Sequence, residues 1–257
     1  MHLILTGATG LVGSAVLDAM IKMPEVTRIS VLSRRPVKMI EATKDKRVNL
    51  IIHEDFMKYD RSLLDQLADA EGCVWALGIS QSQVGKEEYI KITKDYTLAA
   101  AEAFQNLPAV ASQADKKPFH FVYVSGEGAT HKPGMLTPIF GRVKGETELR
   151  LAEMRRANPY FRSSSPRPAI VDAANHPAIQ PYIPALGFAR SALGTALTPL
   201  MRVYKATCSP TEKLGPFLTE MALGRWDGDE FVGKGYERLP GGFPILENTG
   251  MRRLGEW

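Results

Sequence analysis

The sequence predicts a doubly wound α/β fold with a mainly parallel sheet, followed by a small proline-rich C-terminal lobe. Three observations carry that reading. Short apolar runs alternate with helical stripes from Met1 to about Asp172, the pattern of strand–helix–strand crossovers with helices on both sheet faces. A glycine-rich turn, TGATGLVG, joins the first run to the first stripe. Proline is segregated: only Pro24 and Pro36 precede residue 108, and nine of the 17 prolines lie between Pro159 and Pro216. The first part can therefore be regular, whereas the later part must turn often.

Each element follows from local pattern. Leu3 to Leu5 reads as the first strand, and Leu11 to Met23 as a helix, with Val12, Val16, Leu17, Met20 and Ile21 on one stripe that Pro24 ends. Arg28 to Ser33, Val48 to His53 and Cys73 to Leu77 read as strands, with helices over Ser62 to Ala70 and Lys86 to Phe104. Phe119 to Val124 is a fifth strand and Ile139 to Asn158 a long helix. Phe161 to Ser164, flanked by Ala169 to Val171, gives a sixth strand. Ser209 to Glu212 looks like the start of a helix leading into Leu214 to Leu223. Between Pro177 and Phe217, apolar residues such as Ile179, Tyr182, Leu186, Phe188, Leu193 and Leu200 alternate with prolines and glycines. They either cover a pocket for an apolar substrate or complete the core. The expected organisation is one domain over 1–257, with a sheet core over 1–172 and a substrate-covering region over 173–257.

Composition limits the function classes. Hydrophobic residues at 44% and charged residues at 23% describe a globular chain with a sizeable core. Cys73 and Cys208 are far apart and lack His or Cys neighbours at metal-ligand spacing, so neither a disulfide framework nor a metal site is expected. The N-terminus runs straight into an apolar strand, and Tyr182 to Tyr204 is interrupted by Pro184, Arg190 and Pro199. A cytoplasmic protein without an integral membrane segment is the expectation. The net charge is +4, and Arg28 to Lys58 alone holds eight basic and four acidic residues, a surplus equal to that of the whole chain. The basic excess is thus local, which argues against a nucleic acid or a membrane as the partner of that charge.

The glycine turn explains that localisation. Gly7, Gly10 and Gly13 are three residues apart between a strand and a helix, the arrangement that presents backbone N–H groups and a helix N-terminus to a dinucleotide pyrophosphate. Where an NAD-selective fold places an acid after the second strand, this chain has Arg34 and Arg35. Two guanidiniums suit the 2′-phosphate of NADP(H). Asp55 and Phe56, after the third strand, stand where an adenine edge and face would be held.

TGATGLVG, the turn Ala76-Leu77-Gly78, YVSGEGA (Tyr123 to Ala129), GRVKGETE (Gly141 to Glu148) and RPA (Arg167 to Ala169) together resemble the short-chain dehydrogenase/reductase superfamily with its Rossmann fold. The match is to the atypical branch of small NAD(P)-binding oxidoreductases similar to the Tat-interacting protein and its fungal relatives. It covers Met1 to about Asp172. The resemblance implies that Leu77, Gly78, Lys144, Pro168, Ala169 and Ile170 join Gly7, Thr9, Gly10, Leu11, Val12, Gly13, Arg34, Arg35, Asp55 and Phe56 in holding the cofactor. It also implies catalytic roles for Ser125 and Lys144, with Ser hydrogen-bonding a carbonyl oxygen and Lys holding the nicotinamide ribose.

The family's tyrosine stands four residues before its lysine, and here that residue is Phe140, which has no exchangeable proton. Glu127 is the candidate replacement acid, with His131 a second; the alternative for both is simple loop solvation. Phe140, on the same helix face as Lys144, would then border an apolar substrate. Three functions stay open. One is an NADP(H)-dependent oxidoreductase acting on a small apolar carbonyl or alcohol. Another is a non-redox isomerase or cyclase that binds NADP structurally. The last is a nucleotide-sensing regulator without turnover. The protein is expected to be a monomer or homodimer.

Overall fold

The computed structural model describes residues 1–108, 118–183, 207–228 and 230–257. β1 (His2–Thr6), β2 (Arg28–Ser33), β3 (Val48–Ile52), β4 (Gly72–Trp75), β5 (Phe119–Tyr123) and β6 (Phe161–Arg167) form one sheet with β9 (Tyr236–Leu239) and β10 (Phe243–Glu247). The order is β3-β2-β1-β4-β5-β6-β10-β9, and only the β10–β9 pair is antiparallel.

Helices cover both faces, and the two-residue period of the strands decides which side chains they meet. Leu3 and Leu5 of β1 face α1 (Leu11–Lys22) and α7 (Thr211–Ala222), joining Val16, Leu17, Leu214 and Phe217. Ile4 points the other way. On that second face, Phe119, Phe121 and Tyr123 of β5 pack with residues of α5 (Tyr96–Phe104) and α6 (Ile139–Ala157), including Phe104 and Leu151. α3 (Arg61–Gln66), which adds Leu63 to the second face, starts at Asp60, whose carboxylate accepts from the Leu63 N–H at 2.8 Å. α4 (Lys86–Ile90) runs into α5 through a π-helical turn at Lys91–Asp95, so the helix expected over 86–104 is continuous but locally widened. The short helix α2 (Lys38–Thr43) has no counterpart in the sequence reading.

The last third differs from expectation. β10 pairs with β6 and β9 completes the sheet edge, while α7 lies against α1, with Gly215 at the closest approach: a Cβ there would stand 2.3 Å from the Ala15 carbonyl oxygen. The layered body therefore does not stop near residue 172. Ala169 to Val171 does not extend the sixth strand either. β6 runs on to Arg167, and β7 (Ile170–Asp172) leaves the sheet to pair with β8 (Cys208–Pro210). α8 (Asn248–Leu254) closes the chain. Ile179 is fully buried in the α1–α7 core, with Tyr182 and Ile183 packed beside it. The other apolar residues of the expected cover, Leu186 to Val203, lie outside the described residues. Among the described residues no helix is long and apolar enough to cross a membrane.

Candidate functional site

The carboxyl ends of β1, β4, β5 and β6 surround a cavity of about 860 Å3. Its walls include Gly10, Leu11 and Val12 from the glycine turn, Leu77 and Gly78 after β4, and Ser125, Gly126 and Glu127 after β5. Lys144 of α6 and the segment Pro168, Ala169 and Ile170 close it. Residues far apart in the sequence thus converge because parallel strands deliver all their following turns to one edge.

The three glycines of the turn serve different needs. Gly7 has φ +73°, and a Cβ on it would lie 2.3 Å from the Ala76 carbonyl oxygen. A Cβ on Gly13 would lie 2.0 Å from the Gly7 carbonyl oxygen. Both are demanded by the protein's own packing. Gly10 lines the cavity, and its nearest neighbour would be the Gly7 oxygen at 3.2 Å, so the room beside it is free for a ligand. The turn is held by the Gly10 N–H donating to the Gly7 oxygen at 2.8 Å, and the Thr6 hydroxyl accepts from the Leu77 N–H at 3.2 Å. Arg34 and Arg35 are exposed at the end of β2, and Arg35 Nη2 donates to Thr9 Oγ1 at 3.5 Å, which leans its guanidinium over the same turn.

Lys144 Nζ donates to the Ser125 carbonyl oxygen at 2.6 Å and to that of Val124 at 3.4 Å. Burial of the ammonium lowers its pKa to about 8, against the opposing charge of Glu148. The Ser125 hydroxyl is buried on the cavity wall and completes no hydrogen bond of normal geometry, although it is near enough to Glu148 to help hold that carboxyl down. A buried hydroxyl in that state is poised for a ligand oxygen. Together with the space beside Gly10, it leaves on the cavity wall both room for a dinucleotide and a polar group that could meet it. Glu127 is exposed, yet the desolvation it meets at the cavity wall, and then the negative charge of Glu247, push its carboxyl above the usual value.

Four sequence candidates are placed elsewhere. Phe56 is 0% exposed, its ring set against His53, Trp75 and Tyr96; it is a core residue with no free face for an adenine. Asp55 is exposed and accepts from the Met57 N–H at 3.0 Å, holding its own turn. Phe140 is not on the cavity wall among the described residues: its ring lies over Gly128, where a Cβ would come within 3.1 Å of it. His131 is turned away from the cavity, with Nε2 at 2.7 Å from Glu148 Oε2.

Glu148 is the residue that sequence reasoning missed. It is 0% exposed, one helical turn beyond Lys144, and accepts from Arg167 Nε at 2.9 Å, from Arg167 Nη2, and from Ser165 Oγ at 2.8 Å. Burial opposes its ionisation, but Arg167 and His131 outweigh burial and hold the carboxyl down at about 2. The signal was a charged residue on the helix stripe that carries Val143, Thr147, Leu151 and Ala152, and that also carries the buried Arg155. A second buried group, Ser209, accepts from the Ala169 N–H at 2.9 Å and donates to Asn248 Oδ1 at 2.7 Å, so α8 fixes the cavity segment after β6.

No family model matches the chain. Botcinic acid biosynthesis cluster B protein 16 of Botryotinia fuckeliana is 45% identical over 161 residues, which are 61% of this chain and 96% of that protein. Leucinostatins biosynthesis cluster protein T of Purpureocillium lilacinum is 31% identical over 243 residues, covering 87% of this chain and 85% of the relative. Among solved structures, a short chain dehydrogenase/reductase from Saccharomyces cerevisiae superposes with a TM-score of 0.64 at 12% identity, over 96% of this chain and 95% of the other. By these identities the chain belongs to one family with the two fungal biosynthesis-cluster proteins, and its strand order and superposition give it the Rossmann fold seen in short-chain dehydrogenase/reductases.

Proposed function

We propose that this protein is an NADP(H)-dependent oxidoreductase acting on a small apolar carbonyl or alcohol. The observation that carries the reading is the buried Ser125 hydroxyl, which among the described residues completes no hydrogen bond of normal geometry, on the wall of a cavity that also presents Gly10 and Lys144. Gly10 to Gly13 would hold the pyrophosphate, Arg34 and Arg35 the 2′-phosphate, and Lys144 the nicotinamide ribose. The nicotinamide, when bound, supplies or accepts the hydride. Ser125 donates a hydrogen bond to the substrate oxygen and so stabilises the charge that develops there. Glu127, whose carboxyl is raised above its usual value, stands on the same wall and is the chain's candidate proton donor, with water as the alternative. The names of the two curated relatives support a place in the biosynthesis of a natural product.

Phe140, in the place of the family's tyrosine and off the cavity wall, favours a second reading, a non-redox isomerase or cyclase that keeps the nucleotide as a structural part. Titration of NADPH fluorescence tests the cofactor assignment: Arg34→Ala with Arg35→Ala should weaken NADPH at least ten-fold while sparing NADH. Equal binding of both nucleotides by the variant and the wild type would overturn it. Oxidation of NADPH with a panel of apolar ketones and aldehydes tests the reaction. Binding without oxidation across the panel would favour the second reading.

A further inference from the structure

The connection from β5 to α6 carries a feature that the cavity does not use. Met135 and Leu136 are 97% and 95% exposed, consecutive, and at the tip of a tight turn. The turn is fixed from both sides: the Gly134 N–H donates to Thr137 Oγ1 at 2.8 Å, and the Thr137 N–H donates to the Gly134 carbonyl oxygen at 3.2 Å. Arg142 Nη2 donates to the same oxygen at 3.0 Å, which sets a guanidinium against the base of the tip. Lys132, two residues before the turn, is exposed, and no Asp or Glu occurs from residue 128 to residue 145.

We propose that the Gly134–Thr137 turn docks the protein on an anionic lipid surface, with Met135 and Leu136 inserted between headgroups and Lys132 and Arg142 against the phosphates. The hydrogen bonds already fix the backbone of the turn, so little backbone freedom is lost on insertion. A convex tip of two residues buries far less than the roughly 800 Å2 per partner of a stable protein interface, whereas a lipid surface needs no complementary shape. Cationic side chains beside an apolar insert are the charge pattern that such a surface selects. The turn follows β5 and so lies at the carboxyl edge of the sheet, the edge that holds the cavity. Docking there would bring the cavity near a phase in which apolar molecules dissolve.

Flotation of the full chain with vesicles tests the proposal, using phosphatidylcholine mixed with phosphatidylserine against pure phosphatidylcholine. The wild type should float with the mixed vesicles and less with the pure ones, and added salt should weaken the effect. Met135→Ser with Leu136→Ser should lower the bound fraction at least ten-fold, and Lys132→Glu should lower it selectively on the mixed vesicles. Unchanged thermal melting would show that the variants fold. A wild type that floats with neither vesicle overturns the proposal, as does a double serine variant that floats as well as the wild type. A wild-type dimer that the double variant breaks would overturn it too, and would assign the tip to a second copy of the chain.

Discussion

Glu148→Gln removes one charge from the centre of a buried network while keeping the side chain's shape. Arg167, 7% exposed, then keeps its guanidinium with no carboxylate to balance it. Breaking one partner of a buried ion pair costs about 3–5 kcal/mol. The depressed pKa gives a consistent figure. A carboxyl held at about 2 in the folded state, against its usual 4.5, contributes about 3 kcal/mol at neutral pH. The sign follows from the direction of the shift: the contribution is complete above about pH 5 and is lost as pH falls through the folded value. Urea denaturation of wild type and variant at pH 7, 5 and 3.5 measures both effects. The variant should be about 3 kcal/mol less stable at pH 7, which for a chain of this size lowers Tm by roughly 6–12 °C. The gap should narrow towards pH 3.5. Asp45 and Asp60 are also held low, by Arg47 and by the Leu63 N–H respectively, so the difference between the two proteins, not the wild-type curve alone, isolates Glu148. A gap below about 1 kcal/mol at pH 7, or one that does not change with pH, would refute the reasoning.

Two further outcomes follow from the site. Gly13→Ala should destabilise the fold by about 3 kcal/mol, because its Cβ meets backbone at 2.0 Å, whereas Gly10→Ala should fold normally and bind NADPH at least ten-fold more weakly; thermal melts and fluorescence titration separate the two. Lys144 loses its proton near pH 8 in the free protein, so NADPH affinity should fall as pH rises through that value, and Lys144→Arg, which stays charged, should flatten the profile.

Much of the fold was legible because it depends on local pattern. β1, α1, β2 and β5 lie within a residue or so of where periodicity set them. β9 and β10 were not legible: Pro240, Gly241, Gly242 and Pro244 crowd their short runs, and their strand character comes from pairing with β6 and with each other. Phe56 shows a similar limit, since its place after a strand suggested a ligand and only the packing of Trp75 and Tyr96 shows a core.

The sequence by itself determined the nucleotide turn. Three glycines between a strand and a helix constrain backbone within eight residues, and the arginines at the end of β2 follow from the same short range. Only the tertiary structure decided what surrounds Ser125 and Lys144. Glu148 meets Arg167 across 19 positions and His131 across 17, and whether a charged side chain is solvated or buried in a pair depends on elements that sequence spacing does not bring together.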